Sequence, residues 1–216
     1  MKNIYRDTAK GKSYFYYYGW TILAFLAAFF LIFFFIFQAI FHVKRTERVD
    51  LFIAAYGLKD EDYYKTIQKT FAKDGLVEMN IYSYLESDPN VYNYFTANGE
   101  NADYVIFSET NVKDMNDYVK YNYFNIDDLK ENVPSVVQYD TYQFEGVSYG
   151  IKIYDGIDET YNDKHAFKDL IEFTNEGKEK ESYYLLVDNG SPNFDQEGKH
   201  ILGYSVLEYL LSNMLK

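Results

Sequence analysis

The chain has no cysteine, so it has no disulfide, no thiolate ligand and no thiol nucleophile, and the lipoprotein route, which acylates a cysteine, is not expected. Histidine is nearly missing as well: His42, His165 and His200 stand alone, with no spacing that suggests zinc. Basic residues are few where the chain is longest. Beyond Arg48, fourteen Lys and Arg face thirty-one Asp and Glu, a net charge near −17 for that part. Nucleic-acid binding needs a basic face to neutralise phosphates, and no dense Lys/Arg cluster lies outside the flanks of one apolar run, so that class is excluded. The same charge holds this part away from an anionic membrane, leaving Lys44, Arg45 and Arg48 to sit at headgroups. Acidic pairs such as Asp127-Asp128 read as solvated or capping groups in so acidic a chain, rather than as a glycosidase pair. No catalytic residue, metal ligand or cofactor is expected. Internal repeats and long linkers are absent too.

What is present first is the apolar run. Trp20 to Phe41 is 22 residues without a charge and with eight phenylalanines, and its only appreciably polar members, Thr21 and Gln38, lie near its ends. As a helix it would measure roughly 33 Å, against a hydrocarbon thickness of about 30 Å. Lys2, Arg6, Lys10 and Lys12 precede it, as they would a cleaved signal, but signal apolar regions run to about 7–15 residues before a small-residue cleavage site. The exit here reads Gln38-Ala39-Ile40-Phe41-His42, so an uncleaved anchor is expected. Orientation is evenly poised, because the four basic residues before the run are matched by Lys44, Arg45, Arg48 and Lys59 after it. The short tail is placed inside, since a long domain can translocate largely regardless of its charge. Tyr14 to Tyr18 and Trp20 form an interfacial aromatic belt. The expected organisation is a cytoplasmic basic tail (1–19), a transmembrane helix (20–43), a juxtamembrane linker (44–48) and an extracytoplasmic α/β domain (49–216) at the cell membrane.

The 168 residues beyond Arg48 suffice for one core. Val49 to Tyr56 is almost continuously apolar and ends at Gly57, as a central strand buried on both faces would. Asp60, Glu61 and Asp62 open a helix, with Tyr63, Tyr64, Ile67 and Phe71 on its buried face. Val77 to Leu85 reads as a second strand, with Pro89 in the first turn of a short helix, and Tyr104 to Phe107 as a third. Strand, helix, strand, helix, strand predicts crossover units and a mainly parallel or mixed sheet flanked by helices. Val136–Tyr142 and Val147–Tyr154 flank Glu145-Gly146 as a hairpin. Ala166–Phe173 reads as a helix, Tyr183–Val187 as a strand, and Val206, Leu207, Leu210, Leu211, Met214 and Leu215 as a closing amphipathic helix. The wealth of Tyr, Asn, Lys, Ile and Phe resembles an AT-rich bacterial coding sequence.

Ala102-Asp103-Tyr104-Val105-Ile106-Phe107-Ser108 and Phe144-Glu145-Gly146-Val147-Ser148-Tyr149-Gly150-Ile151 resemble segments of the extracellular solute-binding proteins of ABC importers. The first is similar to the third strand of that family's first lobe, whose following loop faces the ligand cleft, and the second to the aromatic-glycine segment leading to the other lobe. The likeness runs from about Val49 to Ile153 and returns from Tyr183 to Leu215. It implies a periplasmic-binding-protein-like lobe. The 28 residues from Asp155 to Ser182 are too few for a second lobe, which would take on the order of 100. A single lobe forgoes half the contacts of a hinge-closing receptor.

Open α/β sheets bind ligands beyond the carboxyl ends of their strands, here Tyr56-Gly57-Leu58-Lys59, Glu86-Ser87-Asp88 and Ser108-Glu109-Thr110-Asn111. Ser108, Glu109 and Asn111 suit a polar ligand and Tyr56 could stack on it; equally, Ser108, Thr110 and Asn111 could cap a helix starting near Val112. With Gly57, Tyr149 and Tyr154 these form the candidate ligand-binding set, for a carbohydrate or other small polar solute. Among the 25 tyrosines, Tyr118, Tyr121 and Tyr123 with Phe124 make the best exposed platform for a glycan, whereas Tyr63 and Tyr82 read as half-buried core with a wet hydroxyl. Asp188-Asn189-Gly190-Ser191-Pro192-Asn193 has calcium-loop chemistry without the EF-hand order of ligands, and reads as a surface turn. The expected function is a non-catalytic accessory or docking component of an ABC import system, held near its permease by the tether. The alternative is a cell-surface glycan-recognition protein, with an extracellular hydrolase third.

Overall fold

The computed structural model describes residues 2–41, 43–174, 180–194 and 201–216, with the side chains of the first helix described from Tyr18 to Phe37. His42 and His200 lie outside the described residues. The chain divides into two units after residue 42. The first is one helix, α1 (Lys2–Phe41), whose 20-residue stretch Tyr18–Phe37 has mean hydropathy 2.7 and no buried residue. Trp20 and Phe25 are 71% and 74% exposed, and Phe29, Phe33 and Phe37 stack in turn at 6.4 Å spacing along one side. The helix is long and apolar enough to cross a membrane.

The second unit is an α/β domain. Its elements are β1 (Arg48–Ala55), β2 (Gly57–Leu58), α2 (Glu61–Phe71), β3 (Glu78–Leu85), α3 (Val91–Tyr94), β4 (Tyr104–Ser108), α4 (Glu109–Asp114), α5 (Asn116–Asn122), α6 (Ile126–Leu129), β5 (Thr141–Phe144), β6 (Val147–Tyr154), α7 (Glu159–Lys164), β7 (Ile171–Glu172), β8 (Tyr183–Val187) and α8 (Leu202–Asn213). Six strands form one sheet in the order β3-β1-β4-β8-β6-β5. β3, β1 and β4 run parallel, while β8 is antiparallel to β4 and to β6, which closes a hairpin with β5. The sheet is therefore mixed, and helices cover both faces.

Strand alternation divides the core. Val49, Leu51, Ile53 and Ala55 of β1 face one layer with Ile67 of α2 and Val206, Leu207, Leu210 and Leu211 of α8. Phe52 and Ala54 face the other, with Val91, Phe95, Val112 and Val119. Burial on both faces explains the apolar run, which only Asp50 interrupts. β1 sits one place from the edge rather than at the centre, because β3 adds to it on the side away from β4.

Several local expectations change. Pro89 precedes α3 in a turn instead of entering its first turn, since Asn90 stands before the helix. The hairpin is shorter than expected: Pro134–Gln138 is a 3-10 turn, and the strand begins only at Thr141. Its loop is sound, with Glu145 at φ 51° and Gly146 at φ 80°, as a two-residue primed turn requires. Ala166–Phe173 is not a helix; a 3-10 turn (Ala166–Asp169) leads to β7, which pairs with β2. His165 is buried between the Tyr139 and Tyr161 rings, its two nitrogens 3.0 Å from the carbonyl oxygens of Tyr161 and Gln138. The Tyr63 hydroxyl is not wet: it is buried with no hydrogen-bond partner among the described residues, and burial pushes it up to about 12.

At the amino end of β1 the linker turns inward. Arg45 reaches Asp103 at 2.9 Å and Arg48 reaches Asp50 at 3.1 Å, so neither is left for headgroups; Lys44 alone of the three is well exposed. The presumed surface turn is half buried, because Ser191 and Asn193 donate to the same Asp103 carboxylate. Beside this network, burial raises the Asp188 carboxyl to about 6, Asp103 adding to the rise and the Gly190 N–H and Arg45 opposing it. A folded-state value above the unfolded one of about 3.9 means the ionised form is disfavoured by folding, so this group's contribution falls as pH rises from about 4 through about 6. Asp188→Asn, whose side-chain oxygen can still accept from Gly190, is expected to raise Tm at neutral pH and to lose that advantage near pH 4. Thermal unfolding of both chains across that range checks it; an equal difference at every pH would refute the assignment.

Candidate functional site

Where β1, β3 and β4 end, their carboxyl edges meet. Ala55 O accepts from Glu86 N at 3.0 Å, carrying Glu86 past the end of β3 and alongside Tyr56. β4 ends at Ser108, whose hydroxyl accepts from Asn111 N at 3.5 Å and caps α4. The lead into β8 closes the fourth side, with Glu109 N donating to Ser182 O at 2.8 Å and Thr110 N to Glu181 Oε2 at 3.2 Å. The result is an open cleft of about 360 Å³ lined by Tyr56, Glu86, Ser87, Ser108, Thr110, Asn111 and Glu181. That is within the roughly 300–1,000 Å³ of small-molecule sites.

Glu86 is the hub. Its carboxylate accepts from Asn111 Nδ2 at 2.9 Å and from the Tyr183 hydroxyl, and Tyr92 holds Asn111 from behind through an OH to Oδ1 bond of 3.1 Å. Burial raises the Glu86 carboxyl above its ordinary value and Glu181 adds to the rise, while hydrogen bonds from Ser108 and Tyr183 oppose it. Burial also raises the Tyr56 phenol, helped by the same two glutamates. The lining thus joins one aromatic ring, two carboxylates and the fixed amide of Asn111, with no basic side chain. Such a wall accepts hydrogen bonds from hydroxyl or ammonium groups.

Of the residues expected from the sequence, Tyr56, Ser108 and Asn111 are brought together here. Ser108 caps the helix as well as lining the cleft, but Thr110 and Asn111 lie inside α4, which starts at Glu109. The structure does not bring the other four to the cleft. Gly57 passes into β2 beside Glu172. Glu109 turns away to pair with Lys113 at 2.6 Å. Tyr149 is buried in the layer of Tyr142 and Tyr184, and Tyr154 stacks on Phe173 at 4.7 Å. Glu181 and Tyr183 were not foreseen, since they arrive from the antiparallel strand and carry no local motif. The glycan platform does not form: Tyr123 and Phe124 are buried and only Tyr121, at 74%, is freely exposed.

No family model matches the chain, and no curated protein does. Among solved structures, the N-glycan transport solute binding protein NgtS of Streptococcus pneumoniae aligns at 12% identity and a TM-score of 0.37, over 55% of this chain and 29% of that one. The maltose/maltodextrin-binding domain MalE of Bdellovibrio bacteriovorus, bound to maltotriose, aligns at 11% and 0.32, over 49% and 28%. Less than a third of either neighbour's length is spanned, and at these TM-scores neither likeness bears on function.

Proposed function

We propose that the chain is a membrane-anchored, non-catalytic binding domain for a small polar solute, acting as an accessory or docking component of an ABC import system. The observation that carries this reading is the convergence of three parallel strand ends on one cleft, where Glu86, Glu181, Asn111 and Tyr56 face a common space. An α/β sheet offers a ligand that edge. Within the domain the cleft lies at the opposite end of β1 from Arg45 and Arg48. One lobe binds weakly, and a tether that raises effective concentration near a permease offsets weak contacts.

Calorimetric titration of the full chain with neutral mono- and oligosaccharides, in a polyoxyethylene detergent that carries no sugar, tests the binding step. Saturable binding weakened by Tyr56→Ala supports it, and no binding at millimolar concentration refutes it. Cleavage of any saccharide in the same samples would replace it with a catalytic role. Crosslinking in native membranes tests the partner, and recovery of no permease component would remove the importer from the proposal.

A further inference from the structure

A second, larger cleft lies on the helical layer beyond Tyr92. It measures about 640 Å³ and runs between α3, the junction of α4 with α5, and Phe144 of β5. No residue is common to the two linings. Four aromatic rings line it: Tyr92, which is 43% exposed, Phe95, Tyr118 and Phe144. Its charge is one-sided. Glu100, Asp114 and Asp117 line it, and among the described residues none of the three has an ion-pair partner, whereas the one cation of the lining, Lys113, is held by Glu109 at 2.6 Å. The carboxylates act on the rings, with Asp114 helping burial to raise the Tyr92 phenol and Glu100 doing the same to Tyr118.

The Tyr92 hydroxyl is engaged with Asn111 at 3.1 Å, and the Asn116 side-chain oxygen accepts from the Tyr142 hydroxyl at 2.6 Å. An organic cation needs ring faces and negative charge, and this lining joins Tyr92, Phe95, Tyr118 and Phe144 to the three carboxylates. We propose that this cleft binds an organic cation, an alkylated ammonium group carried on a short apolar body. The site is separate from the solute cleft and does not rest on its assignment.

Titration of the full chain in a polyoxyethylene detergent, free of choline lipid, with benzyltrimethylammonium tests it beside a neutral analogue that has a tert-butyl carbon in place of the nitrogen. The cation is expected to bind saturably and at least tenfold more tightly than its neutral analogue. The double change Asp114→Asn with Asp117→Asn, at two exposed positions that leave the core intact, should weaken the cation about tenfold and the analogue little. Equal affinity for the two probes, indifference to the aspartate changes, or no binding at millimolar concentration would each overturn the proposal.

Discussion

Asp103→Ala is expected to unfold the α/β unit at neutral pH. The Asp103 side chain is fully buried, and its two oxygens accept from Arg45 Nη1 at 2.9 Å, from Asp50 N at 2.6 Å, from Asn193 Nδ2 at 2.9 Å and from the Ser191 hydroxyl. Its main chain ties two strands as well, donating to Asp50 O at 2.9 Å and accepting from Asp188 N at 3.0 Å. Truncation keeps those backbone bonds but takes the carboxylate from Arg45, whose part-exposed side chain keeps Arg48 O at 3.2 Å and Asn101 O at 2.5 Å, and it leaves the buried Asp50 N–H and Ser191 hydroxyl without that acceptor, while Asn193 keeps Arg48 O at 2.7 Å. Removing one partner of a buried pair costs about 3–5 kcal/mol, and each orphaned donor adds about 1–3 kcal/mol where water cannot reach it. Against a total of about 5–15 kcal/mol for a domain, little stability is left. Asp103→Asn keeps one acceptor oxygen and should fall between the two. Urea unfolding of the three chains in detergent, followed by far-ultraviolet circular dichroism, reads the order. A midpoint for Asp103→Ala equal to that of the parent would show that the network contributes nothing net.

The same residue shows where sequence reasoning stops. Asp103 was visible only as part of a strand motif, because its partners lie 58, 53, 88 and 90 positions away in Arg45, Asp50, Ser191 and Asn193. No window along the chain contains them. The strands were legible where both faces are buried, as in β1, β4 and β8, whose apolar runs need no partner to be recognised. Short elements were not: β2 and β7 are two residues each, below any period, and the apolar spacing of Ala166–Phe173 serves a helix, a 3-10 turn and a bridge equally well. Tyr123 and Phe124 belong to an aromatic cluster that the sequence offers as an exposed platform, yet Tyr123 bridges to Asp188 and Phe124 N bonds to Val187 O at 2.9 Å, which draws both inward. The cleft was half legible. Strand ends can be read from sequence, so Tyr56, Ser108 and Asn111 were found, while Glu181 and Tyr183 depend on which strand lies beside β4.

Glu86→Gln is expected to weaken solute binding at least tenfold while leaving the fold intact. The backbone bond from Glu86 N to Ala55 O does not involve the side chain, and glutamine keeps its length and one acceptor oxygen for Asn111 or Tyr183. What changes is the charge. A hydrogen bond from a ligand hydroxyl to an ionised acceptor is worth about 1.5–3 kcal/mol, or roughly 10–100-fold in affinity. Removal of that charge by acid should mimic the substitution. Because burial first, and Glu181 second, raise the Glu86 carboxyl above an ordinary glutamate, protonation overtakes it at higher pH than it overtakes the surface acids. Solute affinity of the parent is therefore expected to fall on acidification while the domain is still folded, and that of Glu86→Gln to stay flat over the same interval. The solute that the saccharide titration identifies is the probe, with circular dichroism recorded on the same samples. Parallel pH profiles for the two chains, or equal affinities at neutral pH, would remove Glu86 from the site and with it the reading of the cleft as a carboxylate-centred binding pocket.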